Sequence, residues 1–422
     1  MPPEKQNNNI LTSWKQIAGF LGVSERTAQH WEGEKGLPVK RLAGTKGRVS
    51  ADVADLERWI KDNLKATPWY ASLRFLRYYS AIASGLLLLA VGILVGIRMA
   101  NRLGPPEDCR LDYRTLIVTD LGGREVWRYS FPDPFLIGAY DQGSGNSLKK
   151  AWFVKLNPED REVSTIFPYY PVTVDETGGG LFCFSPKGKE KWRFDTTTEV
   201  SDHEQTYPPT YVIADYCVSP IEEGGPNRIF VTSHNTYGDP NRFTILDGDG
   251  VPIGDYWHSG HLSLLAVEDL DGDGVKEILL AGVNNGHGRA VMHVLDPRNV
   301  KGAFSQPAGD KKQLMGFDPG TQIATVLFPR TCINRKFQYN ELTRLSVLKD
   351  SIKVDVMEVG GDHQAIVIYR FGKDLIPKRP IISDHLINLH ATMRSKGELD
   401  HDYSESEVDD LAKSLLIRKN CK

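Results

Sequence analysis

The sequence predicts a multi-domain chain with a small α+β head, a single membrane-length helix and a larger all-β body built from repeats. Three observations lead to that class. Residues 78–97, YYSAIASGLLLLAVGILVGI, carry no charged side chain. The stretch before them is basic, with 13 Lys and Arg against 8 Asp and Glu in residues 1–79, whereas the remainder holds 38 against 46. After them, short strand signals alternate with Gly, Asp and Pro turns, and two phrases recur. At 422 residues and 40% hydrophobic content the chain is long enough for several cores. A basic head on an acidic body places any polyanionic partner at the head.

In the head, Ser13-Trp14-Lys15-Gln16 fits a capping box that opens a short helix through Phe20, with Trp14, Ile17, Ala18 and Leu21 as its apolar face. Gly22 supplies a tight turn and Ser24 an N-cap for a second helix running to about Glu34. Val23, Ala28 and Trp31 are spaced to pack on the first helix, and small Ala28 permits a close crossing. Arg26, Gln29 and His30 then face outward. Residues 36–51, GLPVKRLAGTKGRVSA, read as two short strands around a Gly/Lys-rich tip, after which Asp52 caps VADLERWIKDN. A basic hairpin in that place suits phosphate contact through Lys46 and Arg48.

Residues 11–62 resemble the MerR/excisionase-type winged helix-turn-helix family, whose pattern stands here as Gly22-Val23-Ser24, Arg26-Thr27 and Trp31-Glu32. The resemblance implies double-stranded DNA as a partner. Arg26 and Arg48 would meet its backbone, and Gln29 and His30 its major groove, with Thr27 and Lys46 completing the DNA-binding set. Regulators of that family dimerise through a long coiled coil, and no heptad run follows residue 63 here. Ala81, Gly85, Gly92 and Gly96 instead offer small-xxx-small steps for a homodimer within the apolar helix.

The apolar segment spans about 30 Å as a helix, the thickness of a bilayer core. Arg77 and Arg98 bracket it, and Trp69, Tyr70, Phe75, Tyr78 and Tyr79 crowd its N-terminal side. Flanking positive charge is nearly balanced, so orientation follows from the head. A DNA reader is cytoplasmic, which puts residues 98–422 outside a single-pass inner membrane. The expected divisions are 1–66 for the DNA-binding head, 67–77 for a juxtamembrane linker, and 78–97 for the span. A linker over 98–107, the β body over 108–395 and a helical tail over 396–422 complete the chain.

In the body, LIVTDLGGREVWRYSF (residues 116–131) and LFCFSPKGKEKWRFDT (181–196) align without a gap as hairpins, and FTILDGDGVPIGDYW (243–257) is a looser copy. AVMHVLDPRN and AIVIYRFGKD look like strands of further copies. Such spacing predicts a β-propeller of about six blades, with a β-sandwich array as the rival architecture. A second phrase, PIEEGGPNRIFV (220–231), aligns with DLDGDGVKEILL (269–280). Asp269, Asp271, Asp273 and Glu277 recur there at alternate positions. Gly272 and Gly274 let the chain fold round an ion, and the Val275 carbonyl can add an oxygen. Hard oxygen donors at this spacing suit Ca²⁺. The motif is similar to the calcium loops of FG-GAP/VCBS repeats, as in integrin-type propellers, whose ligand positions are Asp269, Asp271, Asp273, Val275 and Glu277 here. In the aligned copy Pro220, Glu222, Gly224 and Arg228 replace the acids, so one calcium ion is expected. A solvated acidic turn without an ion is the alternative reading.

The five cysteines are dispersed with no CxxC pair, and His258-x-x-His261 reads as a pair of loop histidines. Neither GxSxG, HExxH nor a P-loop pattern occurs, so an enzyme is not expected, although acid pairs for glycoside chemistry stay open among the body's carboxylates. The expectation is a bacterial membrane-anchored one-component transcriptional regulator whose extracytoplasmic body takes up an unknown ligand. The alternative is a surface-anchored adhesion or glycan/protein-binding propeller without a regulatory role.

Overall fold

The computed structural model describes residues 9–41, 48–63, 73–100, 103–140, 148–359 and 365–419. The chain divides into two compact units, Met1–Arg102 and Leu103–Lys422. In the first, β1 (Ile10–Leu11) precedes α1 (Trp14–Leu21) and α2 (Glu25–Lys35). Strands β2 (Lys40–Arg41) and β3 (Val49–Asp52) then lead into α3 (Val53–Asn63). The Ser13 hydroxyl accepts from the Gln16 N–H, while the Gln16 side chain reaches back to the N–H of Thr12, one residue before the expected capping-box partner. Gly22 and Gly36 end α1 and α2 in the left-handed conformation that glycine adopts without strain. The three strands form an antiparallel sheet in the order β1-β3-β2. Ile17, Ala18, Ala28, Leu37, Val49, Leu56 and Trp59 make the core.

Helix α4 (Leu73–Ala100) closes this unit. Its window Tyr78–Gly96 is long and apolar enough to cross a membrane, and none of it is buried against protein.

The second unit is mostly β. Strands β4 (Asp108–Asp112), β5 (Thr115–Thr119) and β6 (Glu125–Ser130) form the first sheet. The second holds β7 (Trp152–Val154) and β8 (Ser164–Tyr169), then, after a single turn α5 (Val174–Thr177), β9 (Gly180–Phe184) and β10 (Glu190–Phe194). A small hairpin, β11 (Val200–Ser201) and β12 (Thr206–Tyr207), follows. The third sheet is β13 (Tyr211–Pro220), β14 (Asn227–Asn235), β15 (Asn241–Leu246) and β16 (Pro252–His258). The fourth begins with β17 (Gly260–Glu268), β18 (Glu277–Asn284), β19 (Arg289–Leu295) and β20 (Ala324–Leu327). The fifth is β21 (Glu341–Leu348), β22 (Ser351–Val359), β23 (Ala365–Phe371) and β24 (Ile381–Ile382). Helices α6 (Asp384–Ser395) and α7 (Glu405–Lys413) precede β25 (Leu416–Lys419), which joins the fourth sheet beside β20.

Apart from β25, each of the five sheets described is an antiparallel meander in chain order, and the central ones are buried on both faces. On β14, Ile229 and Val231 belong to the core shared with the first and second sheets, while Phe230 belongs to the core shared with the fourth. On β18, Ile278 and Leu280 face the third sheet's core, and Leu279 and Ala281 that of the fifth. The side-chain period of two thus sends adjacent residues of one strand into different layers.

The aligned hairpins share one construction. Gly123, Gly188 and Gly250 occupy matching turn positions with φ of 74°, 77° and 78°. Each donates its N–H to a residue three back, Asp120, Ser185 or Asp247. A Cβ at Gly188 would lie 2.7 Å from the Trp127 ring, and one at Gly250 would lie 2.5 Å from Trp192. The tryptophan of each of the first two hairpins therefore covers the glycine turn of the next sheet. Trp192 also donates from Nε1 to the Gly248 carbonyl at 3.0 Å.

Three expectations change. Five sheets of three or more strands are present among the described residues of the body, against about six expected, because the long 296–323 segment and α6–α7 add no blade-like hairpin. The spacing over 404–419 reads as one helix, yet helix ends at Lys413 and residues 416–419 become β25, since β20 offers a free strand edge. His258 and His261 are not loop histidines. Ser259 alone separates β16 from β17, and a Cβ at Gly260 would meet the Val283 carbonyl at 2.2 Å, so the turn lies inside the fold. His258 pairs with Asn284 at 3.0 Å, and half-buried His261 stacks on His234 with ring centroids 4.2 Å apart. Burial holds both imidazoles neutral, His261 being lowered to about 3.

The ring-on-glycine contact predicts a contrast. Gly250→Ala adds overpacking to an unfavourable left-handed alanine and should cost roughly 2–5 kcal/mol. Gly224→Ala, with φ of 76° but open space around it, should cost only about 1–2 kcal/mol. Thermal unfolding of both variants in detergent is the measurement; equal losses would remove the contact from the argument.

Candidate nucleic-acid interface and cation site

Helix α2 turns two different faces outward and inward. Ala28 is fully buried, Val23 and Trp31 pack against it, and the Trp31 and Trp59 rings lie 5.6 Å apart. Trp59 Nε1 donates to the Lys35 carbonyl at 2.8 Å, tying α3 to the end of α2. With that side fixed, Arg26, Gln29 and His30 are all exposed. Arg48 is exposed at the start of β3's approach, and Lys46 lies outside the described residues. Thr27 is half-buried and serves the helix start: its hydroxyl meets the Ser24 hydroxyl at 2.8 Å, and its N–H donates to the same oxygen at 3.1 Å. Arg41 is held by Glu32 at 2.9 Å. The exposed set therefore presents a fork of donors, an amide and an imidazole from one helix, with a second guanidinium from the adjacent hairpin. Those groups match base edges and phosphates.

The acidic loop joins β17 to β18. Gly272 and Gly274 have φ of 80° and 88°, which bends the chain back on itself. Asp269 accepts from the N–H groups of Gly272 at 2.7 Å and Gly274 at 3.1 Å; Asp271 accepts from Asp273, and Asp273 from Val275. These turns bring carboxylate oxygens of Asp269, Asp271 and Asp273 within 4.8 Å of one another. Glu277 lies outside that group; it is buried, and accepts from the Leu270 N–H at 2.9 Å. Val275 is buried and bridges to Glu222 in the aligned loop, where Lys276 also donates its N–H to the Ile221 carbonyl. The donor set fits a hard divalent cation: three convergent carboxylates on a glycine-bent loop, braced by Glu277 from beneath.

One feature has no sequence signature. A cleft of about 1270 Å³ runs beside β4 and β7, lined by Glu107, Arg110, Tyr140, Lys149 and Trp152 among others. The Lys149 ammonium sits 3.3 Å from the Trp152 ring centroid, and burial lowers its pKa. A lone Lys-Lys-Ala-Trp run gives no spacing that would single it out.

No family model matches the chain, and no curated protein matches it. Among solved structures, the BBS1N–ARL6DN complex soaked with lead is similar at 12% identity and a TM-score of 0.31, over 65% of this chain and 78% of that one. The C-terminal domain of Pseudomonas aeruginosa PilY1 is similar at 14% identity and a TM-score of 0.33, over 63% of this chain and 56% of that one. Likeness of this degree assigns no function.

The acidic loop should take up calcium. At a hundredfold excess over its Kd, calcium should stabilise the chain by about 2.7 kcal/mol. Asp271→Asn, at an exposed position, should weaken binding roughly tenfold or more through its lost charge. Calorimetric titration decides; unchanged heats in the variant would leave an acidic turn with no ion.

Proposed function

We propose that this chain is a membrane-anchored one-component transcriptional regulator. Its head binds double-stranded DNA in the cytoplasm as a winged helix-turn-helix, α4 crosses the inner membrane once, and the body is an extracytoplasmic β-propeller of the FG-GAP/VCBS kind. The observation that carries the reading is the division of α2: an inner face committed to the core and an outer face where Arg26, Gln29 and His30 are exposed. The apolar window of α4, with no protein face to cover it, supports the anchor. Sheets that stack through both faces, with Trp127 and Trp192 seated on the next glycine turns, support the propeller.

In this reading α2 lies in the major groove and Arg48 on the flanking phosphates. Gly92-Ile-Leu-Val-Gly96 lets two spans approach closely, so that two heads engage two half-sites. Ligand uptake by the body changes the pairing of spans and thereby operator affinity. Calcium ties down the β17–β18 loop, and the cleft beside β4 and β7 is the place for a signal molecule.

Chromatin immunoprecipitation of the tagged chain from intact cells should give a few sharp promoter peaks sharing an inverted repeat. Arg26→Ala should abolish them while leaving the protein in the membrane fraction. On an isolated operator, Arg48→Ala should weaken binding across sequences and lower the salt slope by about 1. Flat enrichment by the wild-type chain would overturn the assignment.

A further inference from the structure

We infer that Cys332, His390, His401 and Glu407 form a zinc site that fastens the C-terminal helices to the fourth and fifth sheets. The four residues come from four separate places. Cys332 opens a 3-10 turn (Cys332–Lys336) just after β20, His390 lies on α6, His401 in the α6–α7 connection, and Glu407 on α7. One donor atom from each converges within 4.8 Å of the others.

The distances have the pattern of a coordination shell. A single Glu407 oxygen lies 3.7 Å from Cys332 Sγ, 3.8 Å from His390 Nε2 and 3.7 Å from His401 Nε2. Donors bound to a tetrahedral zinc at 2.0–2.3 Å are separated by about 3.3–3.8 Å. The two histidine separations are too long for N–H···O hydrogen bonds, and 3.7 Å from sulfur allows only a weak S–H···O contact. His390 makes the point sharpest. Its side chain is 1% exposed, and neither ring nitrogen has a hydrogen-bond partner. An imidazole buried in that state costs on the order of 1–3 kcal/mol unless something receives its lone pair. A metal ion among these four groups takes the lone pair of Nε2, the nitrogen that faces the cluster.

The supporting contacts are those of a prepared site. His401 Nδ1 is held by the Asp400 carboxylate at 2.7 Å, which turns Nε2 toward the cluster in a carboxylate–histidine–metal arrangement. Glu407 uses its other oxygen to accept the Ser404 N–H at 2.9 Å in a capping box, so its orientation is set by the start of α7. The turn carrying Cys332 is anchored through Thr331, whose N–H and hydroxyl both donate to buried Glu358 on β22 at 2.9 and 2.8 Å. The adjoining cavity of about 210 Å³ is lined by Cys332, His390, Tyr403 and Glu407 among others. One thiolate, one carboxylate and two neutral imidazoles balance a dication, and a mixed sulfur–nitrogen set selects zinc over calcium or magnesium. With four protein ligands the site is closed, and its role is structural.

The full-length chain purified in detergent and dialysed against metal-free buffer should retain about one zinc per chain by mass spectrometry of the metal. Cobalt in its place should give tetrahedral visible bands and a thiolate-to-cobalt charge-transfer band. His401→Gln, at a side chain 41% exposed and outside the core, should fold and lose the zinc. Cys332→Ser should abolish the charge-transfer band, and Asp400→Asn should weaken zinc affinity about 10- to 100-fold. Asp271→Asn should leave zinc content unchanged, which separates this site from the calcium loop. A wild-type chain that takes up no zinc on addition, or His401→Gln and Cys332→Ser chains that keep it undiminished, would overturn the proposal.

Discussion

The seating of an indole ring on the glycine turn of the following sheet is the contact on which the order of the first three sheets depends. A meander of short strands is marginal alone, and it gains stability only when both faces are covered. Trp127 on Gly188 and Trp192 on Gly250 fix the distance and register between neighbours at the outer hairpin, where a sheet is least constrained. Deeper in, Phe230 on one side of β14 and Ile229 with Val231 on the other need that register to reach their separate layers. At the third sheet the ring is gone: Gly254 takes the tryptophan's aligned position, and a Cβ there would meet the Val300 side chain at 3.0 Å. The contact is kept with its partners exchanged, small residue on the strand and branched residue in the turn.

The head obeys a tighter constraint, because so few residues can be buried. Its strands are two to four residues long, and its core rests on Ala28, Leu56, Trp59 and a handful of aliphatic neighbours. In so small a unit, capping carries a large share of the order. Ser13, Ser24, Gly22 and Gly36 place both ends of α1 and α2, and Trp59 locks the end of α2 through the Lys35 carbonyl. None of Arg26, Gln29, His30 or Arg48 takes part in that scaffold. Their identity is therefore free to answer to a partner, whereas Thr27, second in the same motif, is committed to the cap.

What could be read from the sequence was whatever rests on local chemistry. Hairpin turns were legible through their Gly and Asp positions, helix starts through Ser13 and Ser24, and the apolar helix through composition alone. The convergence of Asp269, Asp271 and Asp273 follows from alternate spacing on a glycine-bent loop. Glu277, four residues beyond Asp273, sits on β18, where the pleat and burial direct it to the Leu270 N–H. Strand β25 was illegible because Leu-Ile-Arg-Lys has no alternation of its own; the edge of β20 decides its state. His258 and His261 are near in sequence, but the tight β16–β17 junction buries His258 against Asn284 and leaves half-buried His261 packed on His234. Cys332 and His390, 58 positions apart, have proximity only in the fold.

The chain's end shows why such distant residues meet. Strand β25 is four residues long and mostly exposed, so hydrophobic burial alone gives it little hold. It pairs with β20 in the sheet whose β17–β18 turn carries the three aspartates, and Lys419 donates to the Asp374 carbonyl while Lys373 donates to that of Asp269. Its position is set by what precedes it. Glu407 on α7 meets Cys332, which stands five residues beyond the end of β20, and β25 pairs with β20 itself, so the C-terminal segment is held to this part of the chain twice, through the side-chain cluster and through the ladder. Closing that short circuit removes most of the freedom of residues 384–419 to peel away. The fourth sheet thus carries the acidic loop at its β17 edge and the C-terminal strand at its other edge, and the Lys373 and Lys419 contacts to the Asp269 and Asp374 carbonyls tie both to the loop that follows β23.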